Sequence, residues 1–392
     1  MAKTPKASYM CSSCGATFPK WSGRCENCGE WNTLEQQASG TSGGTGTALN
    51  ATLIKDMSVQ TDTARIPTAL TDVDAVLGGG FVPGSVVLVT GQPGIGKSTL
   101  LQQIAHQIAH ENSVLYVSGE ESAQQVYLRS QRLGAKKTDQ LAIANSSSGD
   151  DIAASMLSGK HTLVIVDSIQ TIQVAAVPTS PGSPTQIMQS AQLLMKAAKQ
   201  SNTALILVGH VTKEGEMAGP KLLEHLVDVV LTLEGDRYGG FKLLRSLKNR
   251  FGSTQESGIF ETTEQGLVPV VNPSAALLAE RQVSDGSVVL ATMEGSRPLL
   301  VEVQALVTKT AFGYPKRTAS GYDLNRLSLL IAMISRRTKL DLSESDVFIN
   351  IVGGLRITEP AADLAVCLAI ASAAKGVQLS EDLVVFGEVG LS

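Results

Sequence analysis

The chain has little of what would place it in a membrane or outside the cell. No apolar run approaches the roughly 18 residues that span a bilayer, and the opening "MAKTPKASYMCSSC" has no apolar signal core. Cationic surplus is also missing: 32 Lys and Arg stand against 36 Asp and Glu, a net charge of −4. No chain-wide positive field attracts nucleic acid, so any such contact must come from a local patch. Cysteine is scarce after position 28, with Cys367 the one exception, and four others crowd into the first 28 residues. That pattern excludes a disulfide framework and suggests a metal site in a reducing compartment. The expectation is a soluble, cytoplasmic protein. What the chain does have, 43% hydrophobic residues over 392 positions, suffices for two or three buried cores.

The organisation predicts four parts. Residues 1–34 form a small cysteine module. Residues 35–64 are rich in Gly, Ser and Thr and read as a flexible linker. Across 65–272, apolar runs such as "SVVLVTG", "SVLYVSG", "TLVIVDS", "ALILVGH" and "VVLTLEG" alternate with helical stretches. This alternation predicts an α/β domain with a largely parallel sheet covered by helices. Residues 273–392 form a second mixed α/β region.

Cys11-x2-Cys14 and Cys25-x2-Cys28 are ten residues apart, and Gly15 and Gly29 follow the pairs. Two such turns can grip one tetrahedral ion, with the glycines tolerating left-handed backbone. Four thiolates leave no open position, so the expected Zn²⁺ is structural; rubredoxin-type iron fits this short spacing less well. Phe18, Trp21 and Trp31 are too few for a core, so metal binding should drive folding of the module.

"GQPGIGKST" matches the phosphate-binding loop pattern, running Gly91, Gln92, Pro93, Gly94, Ile95, Gly96, Lys97, Ser98, Thr99. It follows an apolar strand and opens a helix in which Leu100, Ile104 and Ile108 recur. Backbone N–H groups there wrap the phosphates of ATP, Lys97 reaches the outer ones and Ser98 meets Mg²⁺. Asp167 ends "TLVIVD" and is the natural second carboxylate for the magnesium. Glu120 or Glu121, ending another strand, can polarise the attacking water. His210 ends "ALILVGH", a suitable place to sense the γ-phosphate. His106, His110, His161 and His225 read as structural.

"CSSC…CENC", "GQPGIGKST", "VIVDS", "GHVTKEGEMAGPK" and "KNRFG", in this order, resemble the RadA (Sms) family of bacterial DNA repair proteins over nearly the whole chain. The resemblance implies a RecA-like ATPase core, related to the DnaB replicative helicase. It also implies a homo-hexamer on single-stranded and branched DNA, driving branch migration during recombination, with the RecA recombinase as a partner. It points to Glu120 as the catalytic glutamate. It makes His210 the switch leading into a DNA-binding loop, "VTKEGEMAGPKLLEH", with Lys213 and Lys221 as phosphate contacts.

Two further readings follow from the resemblance. The C-terminal region is similar to the Lon protease domain, yet Ala361 falls where the nucleophilic serine should be, and no serine occurs from Asp346 to Ala371. A hydrolase of that type needs its nucleophile, so the region is expected to serve assembly and DNA binding. The family continues past "FGEVGLS", so the domain is expected to be incomplete. The segment "RYGGFKLLRSLKNR" carries five basic residues and no acid on an expected hairpin. Lys248 and Arg250 are expected to complete the ATP site of the neighbouring subunit. The competing functions are an ATP-dependent protease and a nucleotide-switched scaffold of the clock-protein type.

Overall fold

A computed structural model describes residues 8–11, 16–37, 65–134, 140–210, 220–235, 241–311 and 313–390. Of the expected linker, 35–64, residues 35–37 instead belong to a strand of the small unit, and 38–64 lie outside the described residues. Two compact units divide the chain at Gln60.

The first unit is a three-stranded antiparallel sheet: β1 (Ser8–Cys11) between β2 (Thr17–Phe18) and β3 (Leu34–Gln37). Its core holds Cys11, Cys25 and Leu34, with Tyr9 and Phe18 packed beside them. Trp21 and Trp31, grouped with Phe18 in the sequence reading, are instead exposed.

The second unit begins with helix α1 (Thr71–Leu77) and strand β4 (Val86–Gly91), then α2 (Lys97–Ile108), β5 (Val114–Ser118) and α3 (Ala123–Arg132). Next come β6 (Leu141–Asn145), α4 (Gly149–Leu157), β7 (Leu163–Asp167), α5 (Pro184–Ser201), β8 (Ala204–Val208) and α6 (Pro220–Glu224). Strands β9 (Val229–Gly235), β10 (Phe241–Asn249), β11 (Ser257–Thr263) and β12 (Gly266–Pro269) complete a nine-stranded sheet, ordered β12-β11-β10-β9-β4-β8-β7-β5-β6. The six strands from β9 to β6 are parallel, and the other three are added antiparallel.

The central strands are apolar on both faces up to their carboxyl ends, because helices cover both faces. Alternate residues feed separate cores. Val87, Val89, Ile165 and Ile206 pack with Leu100, Ile104 and Ile108 of α2, whereas Val86, Leu88, Val164 and Leu205 pack with Ile152 of α4 and Leu194 of α5. All five apolar runs singled out in the sequence become strands of the parallel region. The half-exposed β6 at the edge was not legible as one.

After α7 (Pro273–Leu278), strands β13 (Ser287–Glu294), β14 (Arg297–Lys309), β15 (Arg317–Ser320), β16 (Ser345–Ile351) and β17 (Val384–Val385) form a second sheet, ordered β15-β16-β14-β13-β17. Helices α8 (Leu324–Arg337) and α9 (Asp363–Lys375) contribute Leu327, Ile331, Val366 and Ile370 to its core. The turn between β13 and β14 docks on the first sheet. There Arg297 forks onto buried Asp72 of α1, and Arg245 of β10 forks onto buried Glu294.

Candidate nucleotide site and metal module

In the parallel sheet β4, β8, β7 and β5 are neighbours, so the segments leaving their carboxyl ends converge on one crevice, the place where open α/β sheets hold ligands. Gly91 leaves β4 at φ 149°, where a Cβ would stand 2.5 Å from the Leu233 carbonyl oxygen of β9. Only glycine lets the loop turn so close to that strand. Gly96, at φ 114°, then hands the chain to α2, whose first N–H groups face the crevice. Lys97 is 4% exposed, and its Nζ donates to the carbonyls of Gly91 (2.8 Å) and Gln92 (3.0 Å). Burial pushes its ammonium down to about 8, against the pull of Asp167 and Glu120.

Asp167 ends β7 opposite Ser118 of β5, and Tyr116 donates to its Oδ2 at 2.7 Å. The other carboxylate oxygen accepts no side-chain bond among the described residues, which fits a carboxylate that holds Mg²⁺ through water. Glu120 accepts from Ser168 Oγ at 2.6 Å, and His210 Nε2 stands 3.6 Å from the same carboxylate oxygen. Burial and the Lys97 charge lower the His210 pKa, more than Glu120 and Asp167 raise it, so the ring is neutral at neutral pH. Its buried Nδ1 has no hydrogen-bond partner. Glu121 turns away into an ion pair with Arg129 of α3. Lys97, Glu120, Asp167 and His210 therefore meet in one crevice, and Glu121 does not join them.

Sequence reasoning missed the neighbouring cavity of about 610 Å³, lined by Thr99, Arg132, Leu133, and Thr262 to Gly266 in the turn between β11 and β12. Gln103 of α2 fixes that turn by donating to the Leu267 carbonyl and accepting its N–H.

In the small unit the sulfurs of Cys11, Cys25 and Cys28 lie within 4.8 Å of one another, with Cys11 and Cys28 3.7 Å apart. Cys14 lies outside the described residues. Gly29, at φ 78°, returns its N–H to the Cys25 carbonyl, the left-handed knuckle expected there. Three sulfurs on converging turns fit Zn²⁺, and a fourth thiolate would close the tetrahedron.

Comparison with known proteins places both regions in families. Residues 66–268 match the KaiC ATPase family, and residues 9–36 match a zinc-ribbon family described as a rubredoxin metal binding domain. "DNA repair protein RadA" of Pseudomonas aeruginosa is 47% identical over 400 residues, covering all of this chain and 88% of the relative. The RadA proteins of Escherichia coli and Bacillus subtilis are each 44% identical, again across the whole chain. The chain belongs to the RadA family. It is a RecA-like ATPase of DNA repair that takes ATP, Mg²⁺ and Zn²⁺.

The other RadA motif residues are placed elsewhere. In parallel register β9 pairs Leu233 with Gly91 and Val229 with Val87, and β10 pairs Asn249 with Val229. "KNRFG" thus sits at the amino end of β4, about 13 Å along the sheet from its own phosphate-binding loop. Lys248 Nζ donates to the carbonyls of Glu224 (2.8 Å), His225 (3.2 Å) and Val227 (2.8 Å), and Arg250 pairs with Asp228 at 3.1 Å. Both cations are engaged by the end of α6 and the segment after it, within their own chain. Asn249 Nδ2 donates to the carbonyls of Val76 and Leu77, and Arg65 donates to the Phe251 carbonyl, so the turn is anchored on α1. Lys213 lies outside the described residues; Lys221 falls within α6, but its side chain is not described. No helix among the described residues is long and apolar enough to cross a membrane.

At the position expected for a protease nucleophile, Ala361 precedes α9 and its carbonyl accepts from the Gly387 N–H at 2.7 Å. Beside it, fully buried Asp363 accepts from Tyr322 Oη, from the Arg326 guanidinium and from the Val389 N–H. Burial raises the Asp363 pKa, but these donors outweigh it and hold the carboxyl below its ordinary value.

Proposed function

We propose that the chain is the subunit of a ring-shaped, DNA-dependent ATPase that binds single-stranded and branched DNA. The ring, a homo-hexamer working with the RecA recombinase in the cytoplasm, drives branch migration of recombination intermediates. One observation supports this reading above the rest: the phosphate-binding loop and "KNRFG" lie at opposite ends of the same strands. One chain therefore holds both halves of an ATP site but cannot join them, whereas neighbours in a ring can.

In this scheme the P-loop amides and Lys97 hold the triphosphate, and the base enters the cavity beside Thr99. Ser98 and Asp167 would hold Mg²⁺, which neutralises phosphate charge as the bond breaks. Glu120, steadied by Ser168, orients a water and takes its proton as the oxygen attacks the γ-phosphorus and the bond to ADP breaks. His210, neutral and beside Glu120, registers the loss of the γ-phosphate and passes it to the loop that follows it, where Lys213 and Lys221 contact DNA phosphates. From the neighbour, Arg250 and Lys248 meet the developing charge. An ammonium has three donors, and Lys248 already uses three on carbonyls. It must exchange some of them to reach a phosphate.

Steady-state ATP turnover with and without single-stranded DNA tests the reading. Turnover should rise several-fold with DNA. A rate indifferent to DNA would overturn the motor and favour the nucleotide-switched scaffold.

A further inference from the structure

The small unit displays the chain's two tryptophans, Trp21 and Trp31, at 57% and 68% exposure. Indoles are among the side chains most readily buried, so a pair left in water calls for an explanation. They form one surface. A Cβ placed on Gly23 would meet Trp31 Cζ3 at 3.8 Å and Trp21 Cη2 at 3.9 Å, so both rings border the same glycine. Arg24, paired with Trp31 in a β-bridge, holds its guanidinium 5.8 Å from the Trp31 ring centroid. The guanidinium is itself oriented, donating from Nε to the Gly29 carbonyl at 2.8 Å on the second knuckle. The metal-binding turn therefore fixes the arginine, and the arginine flanks the ring.

We propose that Trp21, Trp31 and Arg24 form a stacking surface for the unpaired bases of single-stranded DNA, a contact additional to the DNA-binding loop proposed to follow His210. The planar geometry favours bases: two indoles border one glycine, and an oriented guanidinium stands over one of them. Flat π faces flanked by a guanidinium are what sequence-tolerant base stacking uses. Among the residues of this unit whose side chains are described, the exposed large hydrophobics are these two tryptophans. The local charges sharpen the assignment. Lys20 and Arg24 stand against Glu26, Glu30 and Glu35, all exposed, so attraction to phosphates contributes nothing here. Binding at this surface should come from stacking and be nearly independent of salt.

The inference rests on the single-strand reading above, and the test separates the two. Because both tryptophans lie here, intrinsic tryptophan emission of the full-length, zinc-loaded protein reports on this surface alone. Anisotropy of a fluorescein-labelled oligothymidylate reports total binding by all surfaces. Saturating oligonucleotide should quench the emission. Trp31→Ala and Trp21→Ala should each weaken binding about five- to tenfold while leaving the slope of log affinity against log salt unchanged. Zinc content equal to wild type, with unchanged DNA-free ATP turnover, confirms that each variant is folded. Binding with unquenched emission and unaltered affinity in both variants would overturn the proposal. So would emission that responds to a recombination protein but not to the oligonucleotide, which would make the surface a protein-docking site. Loss of affinity with a flattened salt slope would mean lost phosphate contacts and also refute stacking. No binding by anisotropy would bring down the single-strand reading itself.

Discussion

Lys97 makes ATP affinity depend on pH in a way that can be worked out from its surroundings. Without nucleotide the ammonium is buried and titrates near 8, below the ordinary lysine value of 10.5. A bound triphosphate places several negative charges beside it and pushes the titration far above that. Binding therefore requires the protonated form, and above pH 8 the free protein must first take up a proton. Between pH 7 and pH 9 the protonated fraction falls about tenfold, so ATP affinity should fall about tenfold, with a slope approaching one decade per pH unit. ATP is already fully ionised through most of this range, and His210, with its pKa lowered, is already neutral. Neither disguises the effect. Titration calorimetry at pH 8 in buffers of different ionisation enthalpy should find about half a proton taken up per ATP bound. Lys97→Arg, which keeps a permanent charge, should bind with flat pH dependence, and Lys97→Ala should bind very weakly at every pH. The nucleotide-free protein carries the matching signature with the opposite slope. Its folded state releases the proton near 8 and the unfolded chain only near 10.5, so its stability should rise with pH across that window. Constant affinity from pH 7 to 9 with no proton uptake would refute the claim that burial governs this lysine.

Other outcomes follow from the same geometry. Glu120→Gln should hold ATP without cleaving it, while Glu121→Gln should lose only its bond to Arg129 and keep turnover within about twofold; the opposite result in single-turnover assays would reassign the base. Removing zinc by chelation, or replacing Cys25 by Ser, should unfold the small unit by circular dichroism and leave ATP affinity of the central domain within about twofold. Lys213→Ala or Lys221→Ala should each reduce the salt slope of DNA binding by about one; unchanged slopes in both would move the phosphate contacts elsewhere. Arg250→Ala and Lys97→Ala are each expected to be inactive as pure rings. Mixing them should restore part of the DNA-stimulated turnover, because some interfaces then carry an intact loop and an intact arginine. No recovery in rings shown to be mixed would sink the in-trans arrangement.

How much of this was readable in the chain depends on the range of the interactions concerned. The phosphate-binding loop is local: glycines, Lys97 and the strand and helix around it lie within about two dozen residues, so spacing alone locates it. Asp167 and His210 were legible because apolar strands stop at them. The strand end alone left Glu120 and Glu121 open and the resemblance pointed to Glu120; the contacts that separate them, Glu121 with Arg129 and Glu120 with Ser168, come from different elements and leave no mark in the spacing. The cavity beside Thr99 draws Thr262 to Gly266 from a hairpin more than 160 residues further along the chain, with no motif to announce it. Phe18, Trp21 and Trp31 were counted together as too few for a core, and spacing did not show which of them would face inward. In this unit Leu34, Tyr9, Phe18 and the buried cysteines already fill the small interior.

In the second α/β domain, the place where the resemblance would put a nucleophile is filled by structural contacts. Where the resembling protease would place its nucleophile, the backbone at Ala361 is occupied by the Gly387 N–H, and the adjacent buried carboxylate of Asp363 is fully engaged by Tyr322, Arg326 and Val389. A carboxylate satisfied in this way is a poor base and a good brace. The same economy appears where the two sheets meet. Asp72 with Arg297, and Arg245 with Glu294, are forked pairs whose carboxylates are buried, and Arg245 also reaches Glu234 on β9, the residue after Leu233 beside Gly91. Such pairs add little net stability, because desolvation offsets most of their attraction. They are directional, however, and a mispaired arrangement leaves a buried charge exposed to its full cost. A domain fixed by forks to β10 and α1, the two elements that carry and anchor "KNRFG", holds one orientation relative to that motif. In the ring proposed above, that fixed orientation is what an assembly platform would need.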